Sequence, residues 1–479
     1  MNTDLTTAQK DYAIYLPAIS SFYATFIGKQ AADPTYVDPA RLPKGLPEVE
    51  QLNFFNPAKG KFHYKWGLYS AGHANLDLTK EVPKENMIRK RAGHTTLLAD
   101  SGGFQIAKGV WEADWKNLDS DAQKYRATVL KWLCQVSDYS MTLDIPTWTC
   151  TNPESATATN IHSVQDAINT TQLNHEYFME NSFNDAKFLN VLQGSNHTDA
   201  DEWYEIMKEY NDPTKHKNFF RGWSMGGANM ADPHLALKRI ITIIHDGLLE
   251  EGKHDWMHFL GTSKMEWAGL LTDVQRAVRK YHNPNFTISF DSASPFLATA
   301  NGQVYTSVDY PNYGKWAYKM NPTADNKMLA GDTRKFSDAC IQEGIHDIFE
   351  DSPISDALTM GDICHYAPGM LNKVGKEGST SWDSYTYALL MSHNVWTHIN
   401  AVQEANRRYD AGEVPGALSN DAGFTARDII NTVFAEPDYD KRMNILEDYS
   451  KFWMEVPGAR GMGGKKAVNA TTQFNALFE

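Results

Sequence analysis

Short apolar runs of strand length recur through the middle of the chain. Each ends in glycine or a polar residue, and a helical pattern follows. The runs are Thr95–Ala99, Tyr139–Leu143, Phe188–Leu192, Phe219–Ser224, Trp256–Leu260 and Phe286–Phe290. Between them apolar residues return at helical spacing: Tyr125, Val129, Trp132 and Leu133 in one segment, Leu237, Ile240, Ile241 and Ile244 in another. The second of these helices carries its own punctuation, with Asp232 placed to cap it, Pro233 at its first position and Gly247 near its end. Strands that alternate with helices imply parallel pairing through right-handed crossovers. Such units fit either a closed barrel or a doubly wound sheet.

The strand ends favour the barrel. Asp100, Asp144, Gln193, the Gly226-Gly227 pair, Gly261 and Asp291 follow the runs in turn. In a (β/α)8 barrel the carboxyl ends of all strands converge on one mouth, so these residues become neighbours. An open sheet would gather ligands only at a switch-point crevice. The expected fold is therefore α/β, a TIM-like (β/α)8 barrel with an irregular N-terminal region and a helical C-terminal subdomain. The first ~90 residues mix Pro, Asn, Lys and aromatics, and the uncharged stretch Tyr12–Ile27, broken by Pro17, reads as an amphipathic cap. Beyond about residue 300 the alternation fades, and Ser384–Ala411, Thr425–Glu436 and Tyr439–Val456 read as helices. The expected division is an N-terminal extension over 1–90, a catalytic barrel over 91–335, a helical subdomain over 336–456 and a flexible basic tail over 457–479.

Composition narrows the classes. Over 479 residues, 42% hydrophobic and 22% charged content is that of a soluble globular protein, which excludes wholesale disorder, collagen and a polytopic membrane protein. Acidic residues outnumber basic ones 59 to 45, for a net charge of -14, which argues against sequence-independent coating of nucleic acid but not against a local basic groove. The four cysteines are scattered without a CxxC pair, so a reducing cytoplasm is expected. The 12–27 stretch is too short and polar to span a membrane, and no membrane partner is expected.

Aspartates at strand ends suggest carboxylate chemistry. Two carboxylates across a sugar C1′ can break a glycosidic bond by double displacement, one attacking carbon and the other handling the leaving group's proton. A third can accept two hydrogen bonds from the edge of a base. For any one aspartate alone, capping of the next helix is the plainer alternative.

The local sequences point further. Asp100-Ser-Gly-Gly-Phe-Gln105 resembles the signature of the tRNA-guanine transglycosylase family. Val191-Leu-Gln-Gly194, Trp223-Ser-Met-Gly-Gly227, Phe259-Leu-Gly261, Ser289-Phe-Asp291 and Leu390-Met-Ser-His-Asn394 resemble further family segments in the same order, as does the strand end at Leu143-Asp144. The resemblance covers roughly residues 95–400. It implies an enzyme, a pentosyltransferase, with Asp100 as general acid/base and Asp291 as covalent nucleophile. It implies a base pocket made by Ser101, Phe104, Asp144, Gln193, Gly226, Gly227 and Leu260, with Phe104 stacking on the bound base. The expected partners are a nucleic acid and a 7-deazaguanine base of the preQ0 or preQ1 type. The family's dimers leave a homodimer open here.

Two departures matter. After the nucleophile the tRNA enzymes carry basic residues that hold the RNA backbone, whereas Ser292-Ala-Ser-Pro-Phe-Leu-Ala-Thr-Ala300 has none. The chain thus looks more like the diverged DNA-modifying relatives of phages and bacterial DNA-modification clusters, and DNA is favoured over tRNA. The family's structural zinc site is also broken: Cys364 stands without its companion thiols. A rebuilt site from Cys340, Cys364, His365 and His393 has suitable ligand types, but a buried thiol beside a core histidine is the better expectation. The chemistry itself requires no cofactor. The alternatives are a tRNA-guanine transglycosylase, a non-catalytic nucleic-acid-binding paralogue and an unrelated barrel glycosidase. Arg89, Arg91, Lys215, Lys217 and the tail residues Arg460, Lys465 and Lys466 are weaker candidates for phosphate contact.

Overall fold

The computed structural model describes residues 1, 3–6, 11–372, 378–420 and 423–458; the basic tail with Arg460, Lys465 and Lys466 lies outside them. Eight parallel strands form one sheet: β1 (Ile14–Pro17), β2 (Trp66–Ser70), β3 (Thr96–Asp100), β4 (Tyr139–Met141), β5 (Phe188–Leu192), β6 (Gly222–Met225), β7 (Trp256–Phe259) and β8 (Thr287–Ser292). Their order, β1-β8-β7-β6-β5-β4-β3-β2, is that of a barrel opened at one seam. A parallel bridge between Ala18 and Leu68, with the Ile19 N–H donating to the Leu68 carbonyl at 2.9 Å, spans that seam. The chain is an α/β, TIM-like (β/α)8 barrel.

The strands expected from the apolar runs are β3 to β8. The other two, β1 and β2, come from the stretch that reads as irregular. The expected cap over 12–27 is a strand followed by the Ser21–Ala32 helix, with Ser20 accepting the Tyr23 N–H. Pro17 is tolerated because it closes β1. Gly67 in β2 is fixed by packing, since a Cβ there would fall 2.7 Å from the Phe55 ring.

The two helices read from periodicity are Ser120–Val136 and Pro233–His245, and Asp232 caps the latter by accepting the His234 and Leu235 N–H groups. Beyond the barrel an antiparallel hairpin, β9 (Gln303–Asp309) with β10 (Ala317–Pro322), replaces the regular alternation. The long C-terminal helix, Ser384–Asp410, packs against the Met265–Tyr281 and Ser294–Ala300 helices. The expected helix over 439–456 is two, Tyr439–Asp448 and Ser450–Glu455. Arg41 clamps the start of the long helix, donating through Nε and Nη2 to the two oxygens of Asp383 at 2.6 and 3.0 Å, with both residues buried. This bidentate pair ties the N-terminal region to the C-terminal subdomain. Among the described residues no helix is long and apolar enough to cross a membrane.

Candidate active site

Parallel closure puts the carboxyl ends of β3 to β8 around one mouth. Asp100 is the last residue of β3 and pairs in register with Ser70 of β2. Its Oδ2 accepts the Ser70 hydroxyl at 2.9 Å and its Oδ1 the Gly102 N–H at 3.4 Å. Burial raises the Asp100 carboxyl, opposed by those two donors; the charge of Asp291 adds to the rise and His73 opposes it. Burial in turn lowers the His73 imidazole, with Asp100 pulling the other way. The two aspartates feel each other across the mouth although they lie far apart in sequence.

Asp291 sits near the end of β8 and is held differently. Its Oδ1 accepts the Gly261 N–H at 2.7 Å and faces His258 Nε2 at 3.1 Å. Oδ2 has no hydrogen-bond partner among the described residues. Behind His258 runs a chain of hydrogen bonds. Trp256 Nε1 donates to Ser289 Oγ at 2.8 Å, and Ser289 Oγ lies 2.8 Å from His258 Nδ1. The Ser289 hydroxyl accepts the indole N–H and lies against Nδ1; a carboxylate can only accept, so the His258–Asp291 bond is donated by Nε2–H. His258 and Ser289 are fully buried, so this chain is fixed by its surroundings.

Asp144, Gln193 and the Gly226-Gly227 turn lie at the neighbouring strand ends. Asp144, buried three residues beyond β4, accepts Gln193 Nε2 at 2.7 Å on its Oδ2. Burial raises its carboxyl to about 7, with the Gln193 bond opposing and the charge of Asp100 adding. The glycine pair of the DSGGFQ turn lets backbone approach this carboxylate, because a Cβ on Gly103 would lie 2.6 Å from the Asp144 carbonyl oxygen and 3.0 Å from its Oδ1. Gly227 has φ of +53°, and a Cβ there would lie 2.4 Å from the Gly194 carbonyl oxygen. The flanking amides of Gly226 and Ala228 donate to Leu192 and Gly194, both at 2.8 Å. The Gly227 N–H between them has no partner among the described residues. A ring with a carbonyl and donor groups on one edge would meet here a carboxylate, an amide side chain and an unpaired N–H.

The remaining sequence-derived residues take varied places. Phe104 stands at the rim, 46% exposed, its ring 6.0 Å from that of Trp148, and Lys108 Nζ lies 5.5 Å from both rings. Leu260 follows β7, half-buried, its N–H donating to the Met225 carbonyl. Ser101 is turned away from the pocket: its buried hydroxyl donates to the Thr142 carbonyl at 2.9 Å and ties β3 to β4. Gly226 packs its Cα against Gln193, where a Cβ would lie 3.0 Å from Nε2. The capping alternative fails for Asp144 and Asp291. The 3-10 turn Thr147–Thr151 after Asp144 follows Pro146 and the next helix is capped by Asn152, while the helix after Asp291 follows Ala293, so neither aspartate is at a cap position.

Ser70, His73, His258, Ser289 and Trp256 receive no role from motif matching, although Ser289 lies within a matched segment. The last three carry a signal in strand alternation. His258 of β7 pairs with Ser289 of β8, and Trp256-x-His258 and Ser289-x-Asp291 each place two residues on one face of adjacent strands.

The four candidate zinc ligands do not form one set. His393 is buried with Nδ1 bonded to Ser352 Oγ and Nε2 to the Tyr305 carbonyl, both at 2.8 Å. Cys364 lies against the Ala324 carbonyl and Met360, and Cys340 lies near Thr323. His365 instead feels Arg41 and Asp383. Among the described residues no three His, Cys, Asp or Glu side chains are grouped to hold a metal ion. Asn394, beside His393, ties the helix after β8 to β9: its Nδ2 donates to the Pro295 carbonyl and Thr299, and its Oδ1 accepts the Tyr305 N–H.

Arg89 is spent on Glu85 and the Asn75 carbonyl, Arg91 on Asp138, and Lys215 pairs loosely with Glu209. All four cysteines are free thiols. Neither a protein-family model nor a curated protein matches the chain.

Proposed function

We propose that this protein is a pentosyltransferase, a base-exchange enzyme that replaces guanine in a polynucleotide, DNA rather than tRNA, with a 7-deazaguanine of the preQ0 or preQ1 type. The observation that carries this reading is the pairing of Asp291, one oxygen fixed and one bare, with the raised carboxyl of Asp100 across the same mouth. Asp144, Gln193 and the free Gly227 amide lie beside them. Resemblance of the motifs to guanine transglycosylases points the same way.

The target guanine is taken out of its stack into the mouth. Ionised Asp144 accepts its N1–H and exocyclic amine, while Gln193 and the Gly227 N–H face its carbonyl. Asp291 Oδ2 attacks C1′; the C1′–N9 bond breaks and its electron pair goes to guanine, which takes the proton of Asp100. The sugar is now an ester of Asp291. An incoming 7-deazaguanine gives its N9 proton to Asp100 and attacks C1′, and Asp291 leaves as carboxylate. One glycosidic bond replaces another, so no energy source is needed. His258 holds Asp291 in line throughout.

DNA is favoured because the Ser294–Ala300 helix after the nucleophile offers no cation to an RNA backbone. The free thiols fit a reducing cytoplasm. The deciding assay offers labelled guanine and labelled preQ0 with duplex DNA and with tRNA in separate reactions. Label should enter DNA; entry into tRNA alone would move the substrate to RNA, and entry into neither would end the exchange reading.

A further inference from the structure

The opposite end of the barrel holds a cavity of about 460 Å³ at the amino ends of β4 to β7. That volume lies within the roughly 300–1,000 Å³ of small-molecule sites. Tyr139, the first residue of β4, forms one wall, and Phe219 another. Four cations line it: Lys187, Lys217, Arg221 and Lys253. Only Lys253 has a carboxylate partner among the described residues, Glu250. Lys187 Nζ lies 5.1 Å from the Tyr139 ring centroid and the Arg221 guanidinium 4.2 Å from that of Phe219. Two lining carboxylates offset part of this charge, and one of them, Asp255, is already engaged by the Gly252 N–H and Asn283. The lining is thus net positive on a chain of net charge -14.

This end of such a barrel ordinarily serves stability. Unpaired like charges gathered around a concavity do the reverse, since they repel and a low-dielectric wall focuses their field. An anionic occupant removes that cost. Cations beside aromatic faces match one chemistry in particular: phosphate groups meet the Lys and Arg heads while a flat base lies against a ring. We propose that this cavity binds a nucleoside phosphate. The assignment stands whether or not the base-exchange reading does, because it uses none of the residues of the mouth.

The test is calorimetric titration of the full chain with ADP, with adenosine and with a 12-nucleotide oligo-dT strand, alongside Lys217→Gln/Arg221→Gln. ADP should bind in the micromolar range, adenosine at least tenfold more weakly, and the double variant should lose at least tenfold in ADP affinity while its melting temperature stays level or rises. Lys187→Gln alone, at an exposed position, should lose several-fold if the double variant fails to fold. Competition by oligo-dT would identify the phosphate source as a polynucleotide; no competition would identify it as a free nucleotide. Absence of ADP binding at millimolar concentration, or binding undiminished in the variants, would overturn the proposal.

Discussion

The two sides of the barrel mouth handle carboxylates in opposite ways. On the β7–β8 side Asp291 receives two N–H donors on a single oxygen, backed by a buried histidine, serine and tryptophan, and its second oxygen is bare. On the β3–β4 side burial outweighs the donors and pushes Asp100 and Asp144 upward, Asp144 to about 7. Residue type is the same throughout, so environment alone would separate the proposed roles: a nucleophile needs an available lone pair, an acid needs a retained proton. Neighbouring carboxyls driven apart in character are a recurrent mark of acid–base division.

The sharpest way to break this comparison is to remove the available lone pair. Asp291→Ala should lower base exchange by about a thousandfold or more with the fold intact, since covalent catalysis has no second nucleophile to fall back on. Next comes the retained proton: Asp100→Asn should cost about 10²- to 10⁴-fold in kcat, the usual range for a lost acid–base group, while the affinity for guanine changes little. Single-turnover kinetics separates the two effects.

The support behind Asp291 should matter less, but measurably. His258→Phe keeps the ring volume and removes the Nε2–H, so Asp291 loses one of its two donors. A drop of about 10- to 100-fold in kcat with KM held would identify a positioning role, in line with the cost of small misplacements near the reacting atoms. His258→Gln, which retains an N–H donor, should recover part of the rate; equal loss in both variants would make the role merely structural.

Asp144 tests the other side. Because its carboxyl titrates near 7, a falling pH should raise KM for the base as the double acceptor becomes protonated, and Asp144→Asn should abolish that dependence while raising KM by about 10- to 100-fold. Stability should move oppositely. A carboxyl raised in the folded state binds a proton there that the unfolded chain releases nearer pH 4, so its contribution favours folding at low pH and is lost as pH climbs through 7. Asp144→Asn should therefore stabilise the protein above pH 7 by on the order of 2 kcal/mol, read as a higher Tm. Smallest is Phe104→Ala, which should weaken substrate binding by about tenfold, the lower end of a lost base–aromatic stack, and leave kcat unchanged.

Sequence pattern made some of this readable and not the rest. The strands from β3 to β8 are visible because each falls in a short, mostly apolar run ended by a polar or glycine residue. In a barrel those ends converge, which is why Asp100, Asp144, Gln193 and Asp291 could be grouped without coordinates. The first two strands escaped for physical reasons. Ile14–Pro17 ends on a proline shortly before a helix, and Trp66–Ser70 lies in an aromatic- and lysine-rich stretch and contains a glycine that packing, not backbone conformation, requires. Losing β2 meant losing Ser70 and, just beyond it, His73, two of the groups that tune Asp100. Ser101 illustrates the converse: the motif marks it for the pocket, but its hydroxyl is consumed by the Thr142 carbonyl. Retained residue types likewise say nothing about free lone pairs: among the described residues the four candidate zinc ligands are not grouped, and both nitrogens of His393 are hydrogen-bonded.

The most direct measurement is intact-mass spectrometry of the protein after incubation with a guanine-containing DNA oligonucleotide and denaturation. The base-exchange mechanism predicts an adduct of protein plus oligonucleotide less one guanine, mapped by peptide digestion to Asp291 and absent from Asp291→Asn. An adduct on another residue, or exchange of labelled guanine that persists in Asp291→Asn, would contradict it.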